Sequence, residues 1–546
     1  MKYVFITGGV LSGLGKGIIT CSVGKMLQAR GYKINVIKID PYFNVDAGTM
    51  NPYVHGEVYV LEDGYEADMD LGQYERFLDL TLNGWNNITS GQIYQSVIKK
   101  ERRGDYLGRC VQLIPHVTDE IKRRIRLIAR QSKIDVLLCE CGGTVGDLEG
   151  GPFLEAFRQM RLEEGAGDTL LLHVTLVPVL EAVGEQKTKP TQMSVRELQR
   201  IGLSPDIIVA RCEKGMLKPE PKRKIALYCN VGENAVFTSP NVKCVYEVPL
   251  VLDRQGMGDL ICEKLRLPKR KPQWDEWERI VDAFLRPAHS VKIAMCGKYA
   301  RLADSYVSVN SALRQAGAYV KTEVNIDWIE TEIFEEDSKR LEMLSKYDGI
   351  LVPGGFGERG TEGKIASIRF AREHDIPFLG ICFGFQLAVV EIARHIAGLA
   401  DANCTEINPD TPYPVIDLLP EQKTIEEKGG TMRLGAHAII VEPDTLSYKL
   451  YRRPVIYERH RHRYEVNPAY IDALCKAGLV FSAKSPDARR MEALEIPGHY
   501  FFYATQFHPE FKSRPGRPDP AYYGFVKACL DRALGRPKPA FYEQDA

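Results

Sequence analysis

The chain reads as an α/β protein of two domains, each a doubly wound parallel sheet. Three observations predict this. Strand and helix signals alternate from Met1 to about Leu267, as expected when parallel strands are joined by crossover helices. The alternation stops at Pro268-Lys269-Arg270-Lys271-Pro272 and restarts at Val291-Lys292-Ile293-Ala294-Met295. Each half also carries its own glycine-flanked turn from strand to helix, one holding Lys16 and the other Cys382. The expected domains are residues 1–267 and 291–546, with a linker over 268–290.

Composition narrows the function. The 546 residues are long enough for several cores, and 72 basic residues balance 72 acidic ones to a net charge of +0. That balance gives no support to generic nucleic-acid binding or to a polybasic membrane face. The 13 cysteines are odd in number and scattered, which fits reduced thiols and a cytoplasmic protein. The longest apolar stretch, Thr169 to Leu180, contains His173 and Pro178 and is too short to span a bilayer. The first strand begins almost at Met1, so no signal peptide is expected before it.

In the first half, the apolar run Tyr3-Val4-Phe5-Ile6 predicts a buried parallel strand. It feeds Thr7-Gly8-Gly9-Val10-Leu11-Ser12-Gly13-Leu14-Gly15-Lys16-Gly17-Ile18, and a helical pattern then runs to about Gly31. Strand, glycine-rich loop, lysine and helix make a phosphate cradle, in which backbone N–H groups and the helix N-terminus meet the anion. The loop departs from the P-loop pattern. Val10 stands five before Gly15, and Gly17 stands where a metal-binding hydroxyl belongs, so Mg²⁺ needs other ligands. A plain glycine-rich turn with an incidental lysine is the alternative.

A second strand over 33–39 would carry Lys38 and Asp40 to the carboxyl edge beside this loop. In the acidic tract Glu62 to Asp70, an extended chain puts Glu66, Asp68 and Asp70 on one face, either as Mg²⁺ ligands or as a solvated loop. The strand ending at Glu140 runs into Cys141-Gly142-Gly143-Thr144-Val145-Gly146-Asp147. Glu140 is expected to be a metal ligand, the alternative being a buried acid that caps the glycine turn. Lys187-Thr188-Lys189-Pro190-Thr191-Gln192 suits a triphosphate or a polar base, or else a solvated loop, and Lys224 adds a candidate cation. The linker helix shows Trp274, Trp277, Ile280, Val281 and Phe284 on one face and stops at Pro287.

In the second half, Pro377-Phe378-Leu379-Gly380-Ile381-Cys382-Phe383-Gly384-Phe385-Gln386 has the nucleophile-elbow layout with Cys in place of Ser. A thiol at a helix N-terminus is favoured as thiolate. Gln506-Phe507-His508-Pro509-Glu510, read as extended chain, supplies a base and the acid that orients it. The glycines of Leu351-Val352-Pro353-Gly354-Gly355-Phe356-Gly357 can offer oxyanion-hole N–H groups. Glu458-Arg459-His460-Arg461-His462-Arg463-Tyr464 reads as a polar strand whose cations meet a substrate carboxylate, and Glu406 could meet a substrate ammonium.

These motifs together resemble the CTP synthase family, over nearly the whole chain. Further stretches that carry the resemblance are Gly56-Glu57-Val58, Asp70-Leu71-Gly72, Tyr74-Glu75-Arg76-Phe77 and Glu101-Arg102-Arg103-Gly104-Asp105-Tyr106. The resemblance implies an amidoligase domain followed by a class I glutamine amidotransferase domain. It implies ATP on Gly13, Leu14, Gly15, Lys16, Gly17 and Ile18, with Asp70, Arg211 and Val242, and Mg²⁺ on Asp70 and Glu140. It implies UTP or CTP on Ser12, Lys187, Thr188, Lys189, Pro190, Thr191, Gln192 and Lys224, with Asp147, Leu148 and Glu149 serving CTP inhibition. The triad would be Cys382, His508 and Glu510, and glutamine would contact Gly355, Phe383, Gly384, Phe385, Gln386, Glu406 and Arg463. A homotetramer and GTP as activator also follow from the resemblance.

The implied reaction phosphorylates the 4-oxygen of uracil and displaces it with NH₃ from glutamine. Another ATP-driven amidotransferase, GMP-synthetase-like or cobyrinate-amidase-like, is a rival reading. A non-enzymatic P-loop switch is a second rival, and it would need neither Cys382 nor Glu510. Between Pro414 and Gly429 the chain is shorter than the longer family forms, with Glu421-Gln422-Lys423-Thr424-Ile425 in place of a longer lid, so no GTP residues are carried over.

Overall fold

The computed structural model describes residues 1–50, 56–180, 184–297, 303–355, 357–418, 432–539 and 541. The short lid segment Glu421 to Ile425 lies outside the described residues. The chain forms two compact units, Met1–Ala47 with Asp70–Val281, and Gly48–Met69 with Asp282–Ala546. A short stretch of the first half, residues 48–69, is therefore part of the second unit.

The first unit is built on a seven-stranded sheet, parallel throughout. Its order is Val236–Pro240, Ile207–Cys212, Thr169–Val177, Lys2–Gly8, Val136–Cys141, Ile34–Asp40, Asn87–Thr89. The first strand of the chain is central, and later strands add on both sides of it. Its residues Val4, Phe5 and Ile6 are fully buried, as a strand covered on both faces must be. Ile6 pairs with Glu140, which pairs on its other side with Lys38, so the three side chains lie abreast near the carboxyl edge.

The second unit has a nine-stranded sheet. Thr322–Glu330, His289–Gly297, Gly349–Val352, Phe378–Ile381 and Phe502–Thr505 are parallel neighbours. The sheet then continues through Met491–Glu495, Val480–Lys484, Arg433–Val441 and Val455–His462 as an antiparallel extension. The second sheet is therefore mixed where the sequence suggested parallel strands alone. Residues Val58–Val60 and Glu66–Asp68 form an antiparallel hairpin in this same unit. Among the described residues no cysteine is joined in a disulfide. Among the described residues, no helix is long and apolar enough to cross a membrane.

The turn from Phe378–Ile381 into the helix Phe383–His395 is packed too closely for side chains at its glycines. A Cβ on Gly384 would lie 2.1 Å from the carbonyl oxygen of Val352, and one on Gly380 would lie 2.9 Å from Ala504 Cβ. The obstacle at Gly384 is backbone of a neighbouring strand, which has no rotamer to move. Gly384→Ala should therefore destabilise the second unit by about 1–3 kcal/mol, the usual cost of overpacking. Denaturant unfolding would measure this, and an unchanged midpoint would show that the strand and helix can separate freely.

Candidate functional site

Strand order reverses around Lys2–Gly8 in the first unit, and ligands of such sheets collect beyond the carboxyl ends at the reversal. The loop that follows holds Val10 at φ 85°, a left-handed conformation that a β-branched residue rarely takes. Gly15, at φ 86°, precedes the helix Lys16–Ala29, which places Lys16 at the first helical position. The Lys16 ammonium bonds the carbonyl of Gly143, on the glycine turn after Glu140. Burial lowers the Lys16 pKa, while the Glu140 carboxylate opposes that fall.

Glu140 is 1% exposed and fully engaged. It accepts bonds from Thr20 Oγ1 at 2.6 Å and Tyr74 OH at 2.5 Å, and Lys38 Nζ is 3.4 Å away. The same Lys38 ammonium bonds Asp70 and lies 3.8 Å from Asp40. Three carboxylates thus converge on one cation. The expected face of Glu66, Asp68 and Asp70 does not form. The strand ends at Asp68, and Asp70 sits in the first turn of the helix Met69–Leu78, which turns it away from the period-two alternation of extended chain. Glu66 instead accepts a bond from Arg461 at 2.8 Å within the second unit. A Cβ on Gly17 would lie 2.4 Å from Gln73 Oε1 and 3.1 Å from Asp70 Oδ1, which explains glycine where a hydroxyl was expected.

Asp70 and Glu140 fit a hard divalent cation. Both donors are carboxylates, and the cluster already draws a positive charge between them. No group of three or more metal-binding side chains occurs among the described residues, so such an ion would complete its shell with water or phosphate oxygen.

Lys187, Thr188, Lys189, Gln192 and Lys224 line a cavity of about 480 Å³, together with Lys218. Lys187 bonds Glu185 at 2.5 Å, and Gln192 bonds the Thr188 hydroxyl at 3.0 Å. Thr191 faces the sheet and bonds the carbonyl of Leu176 at 3.1 Å, and Pro190 lies beside it in the first turn of the helix Lys189–Arg200. Ser12, Asp147, Leu148 and Glu149 are not among the residues lining this cavity. Leu148 is 91% exposed, and Asp147 accepts the Thr144 N–H at 2.7 Å. Arg211 bonds the carbonyl of Pro240 at 2.7 Å and Asn241 Oδ1 at 2.6 Å, next to the half-buried Val242.

In the second unit, three adjacent parallel strands deliver the candidate groups to one place. Gly354 and Gly355 follow Gly349–Val352, Cys382 follows Phe378–Ile381, and His508 follows Phe502–Thr505. Cys382 has φ 53° and ψ −98°, the strained conformation of a nucleophile elbow. A cavity of about 110 Å³ is lined by Gly354, Gly355, Cys382, Arg461, His508 and Glu510. His508 Nδ1 bonds Glu510 Oε1 at 2.7 Å, and Tyr522 OH reaches Glu510 Oε2 at 3.5 Å. Burial alone would lower the His508 pKa, but the charges of Glu510 and Cys382 raise it to about 10. A Cβ on Gly354 would lie 3.2 Å from His508 Cε1 and 3.7 Å from Cys382 Cβ. Imidazole and thiol therefore face each other across Gly354. Glu510 lies in the 3₁₀ turn Pro509–Phe511 and not in extended chain, and the turn brings its carboxylate back to His508.

The other expected glutamine contacts are dispersed. Phe383 and Phe385 are buried in the core, and Gln386 bonds the carbonyl of Tyr464 at 2.8 Å and Gln506 Oε1 at 3.2 Å. Glu406 accepts the Gly357 N–H at 3.1 Å, and Arg463 is half-buried. Sequence reasoning missed the residues that hold the charged groups. Thr20 and Tyr74 each lie four residues beyond a candidate residue on a helix, at Lys16 and Asp70, and that spacing was a usable signal. Nothing local marks Tyr522 as the partner of Glu510.

Residues 2–267 match the family model described as CTP synthase N-terminus, and residues 301–528 match the one described as glutamine amidotransferase class-I. The chain is 57% identical over 531 residues to a CTP synthase of Pyrococcus abyssi, covering 97% of this chain and 98% of that one. It is 57% identical over 531 residues to a CTP synthase of Methanopyrus kandleri, covering 97% and 99%. It is 54% identical over 539 residues to a CTP synthase of Methanocaldococcus jannaschii, covering 98% and 99%.

His508 yields a test of its own charge. Its pKa of about 10 in the folded chain lies above the ordinary 6.5, so its protonation contributes stability that is full below pH 6.5 and lost as pH rises through 10. Glu510→Gln removes the charge that raises the pKa. The melting temperature of the variant should fall below wild type near neutral pH, with the gap narrowing toward alkaline pH. A gap that stays constant over that range would show that Glu510 does not hold the proton on His508.

Proposed function

The chain belongs to the CTP synthase family and is a glutamine-hydrolysing ligase that converts UTP to CTP, driven by ATP; from that premise we propose how its residues divide the work. The observation that carries the division is that two separate constellations exist, Lys16–Lys38–Asp70–Glu140 in the first unit and Cys382–His508–Glu510 in the second.

Residues 1–267 form the amidoligase domain in this reading, 268–290 the linker and 291–546 the glutaminase domain. ATP lies on the loop Gly13 to Ile18, with Arg211 and Val242 beside the adenine. Lys16 meets the phosphates, and its lowered pKa suits an ammonium that gains most when an anion arrives. Asp70 and Glu140 would hold Mg²⁺, which would supply charge neutralisation at the triphosphate. UTP lies in the cavity of Lys187, Thr188, Lys189, Gln192 and Lys224, with Ser12 also in contact, and CTP inhibition adds Asp147, Leu148 and Glu149. Transfer of a phosphoryl group to the uracil 4-oxygen makes it a leaving group, and NH₃ displaces it.

In the glutaminase domain the raised His508 pKa keeps a proton on the imidazole beside Cys382. The Cys382 thiolate attacks the glutamine carboxamide carbon. Backbone N–H groups at Gly355 and Phe383 receive the oxyanion, and His508 gives its proton to the departing nitrogen, which leaves as NH₃. Neutral His508 then takes a proton from the water that cleaves the thioester, releasing glutamate. Glu406 and Arg463 hold the ends of the substrate. GTP as activator, a homotetramer and a cytoplasmic location complete the proposal, the last supported by cysteines that, among the described residues, are joined in no disulfide.

Lys16→Ala and Glu140→Gln should each abolish CTP formation with glutamine and with ammonium chloride, because both act on phosphoryl transfer. Near wild-type turnover with saturating ammonia in either variant would remove that residue from the ATP site. Cys382→Ala should lose glutamine-dependent CTP formation by about 10³-fold or more and keep ammonia-dependent formation. The rescued rate should rise with pH as ammonium becomes NH₃. A well-folded Cys382→Ala that loses both activities would contradict the division.

A further inference from the structure

The strand Val455–His462 does two things at alternate residues. Its backbone carbonyls lie against the candidate catalytic pair: Arg459 O accepts the backbone N–H of His508 at 2.8 Å, and Arg461 O lies 3.7 Å from Cys382 Sγ. The side chains of the same two arginines reach the hairpin formed by Val58–Val60 and Glu66–Asp68. Arg459 Nε bonds Glu62 Oε2 at 2.9 Å, and its NH1 bonds Tyr59 OH at 3.2 Å and the carbonyl of Val60 at 3.1 Å. Arg461 Nε bonds Glu66 Oε1 at 2.8 Å. Arg459 and Glu66 are almost wholly buried.

The hairpin is anchored along its length within this unit. Glu57 accepts the Ser308 N–H at 3.0 Å and the Ser308 hydroxyl at 2.6 Å. Tyr59 OH bonds the carbonyl of Phe511, one residue beyond Glu510, at 2.8 Å. At the tip, Gly64 approaches Gly435 so closely that a Cβ on Gly435 would lie 2.5 Å from Gly64 N, and Ala436 N–H bonds Glu62 O at 3.0 Å. Glu57 and Val58 also line the Cys382 cavity.

We propose that Glu62 and Glu66 are positioning residues for glutamine cleavage. They act through Arg459 and Arg461, whose carbonyls set the places of His508 and Cys382. The inference rests on the proposed role of Cys382. In each pair one partner is buried, Arg459 against the part-exposed Glu62 and Glu66 against the part-exposed Arg461. Such a charge-assisted bond is directional, so it fixes the rotation of each arginine and with it the peptide that carries the carbonyl. Removing the charge lets the strand relax by a fraction of an ångström. Misplacement of reacting groups on that scale is felt mainly in turnover. The hairpin belongs to the segment that runs directly into the helix bearing Asp70, so the first half of the chain supplies part of the second half's catalytic scaffold.

The test uses the full-length chain as Glu62→Gln, Glu66→Gln and the double variant, with Glu66→Asp and Cys382→Ala beside them. Glutaminase kcat and KM, ammonia-dependent CTP formation, alkylation of Cys382 by a glutamine-like chloroketone, and the melting temperature are measured. The double variant should lose about 10²-fold in glutaminase kcat with KM within about twofold. Alkylation should slow in parallel, ammonia-dependent formation should stay at the wild-type rate, and Glu66→Asp should recover part of the loss. A folded double variant with unchanged kcat and alkylation, while Cys382→Ala is inactive with glutamine, overturns the inference. Equal loss of both nitrogen sources with a lowered melting temperature also overturns it, since the hairpin would then be structural only. Glutamine-dependent activity surviving in Cys382→Ala overturns instead the reading on which the inference rests.

Discussion

A parallel sheet delivers the carboxyl end of every strand to one edge, and both sites depend on that constraint. In the first unit, residues from three neighbouring strands arrive abreast, so the loop after Gly8, Glu140 and Lys38 meet without any long-range folding of loops. In the second unit, the Gly354–Gly355 turn, Cys382 and His508 leave three neighbouring strands side by side. The reactive residue of each site sits where strand becomes helix, next to backbone at positive φ, at Gly15 and at Cys382 itself. The rigid sheet beneath holds that strained geometry in place.

Burial then decides which charges survive. His173, His460 and His462 are buried, and desolvation pushes their pKa values down, to about 3 for His173. His508 is half-buried and is pushed the other way, because a carboxylate bonds its ring at 2.7 Å. Desolvation and a paired charge are the two competing effects, and a carboxylate at bonding distance wins. Glu140, Glu62 and Glu66 each meet a cation, and removing one partner from such a pair costs more than never having built it. These pairs therefore lock geometry more than they add stability.

The two strand-to-helix turns and the candidate trio Cys382, His508 and Glu510 were legible because their signals are local. Gly380, Cys382 and Gly384 lie within five residues, and His508 and Glu510 within three. Even so, the sequence suggested extended chain at Glu510 and at Asp70, where the structure has a 3₁₀ turn and a helix. Period-two spacing cannot distinguish a short strand from a tight turn that brings the same two side chains together.

The run Arg459-His460-Arg461-His462 shows the limit most clearly. Its alternation marked a strand with one cationic face, and the strand is there. The partners of that face are Glu62 and Glu66, about four hundred residues earlier in the chain, in a tract that by itself suited a metal site equally well. By itself the sequence determined most of the elements, their hydrophobic faces and the candidate side chains, because propensity, periodicity and turn chemistry act between near neighbours. Tertiary structure alone decided which carboxylate met which cation. Pairing across long sequence distances is set by sheet order and close packing, and no local pattern carries that information.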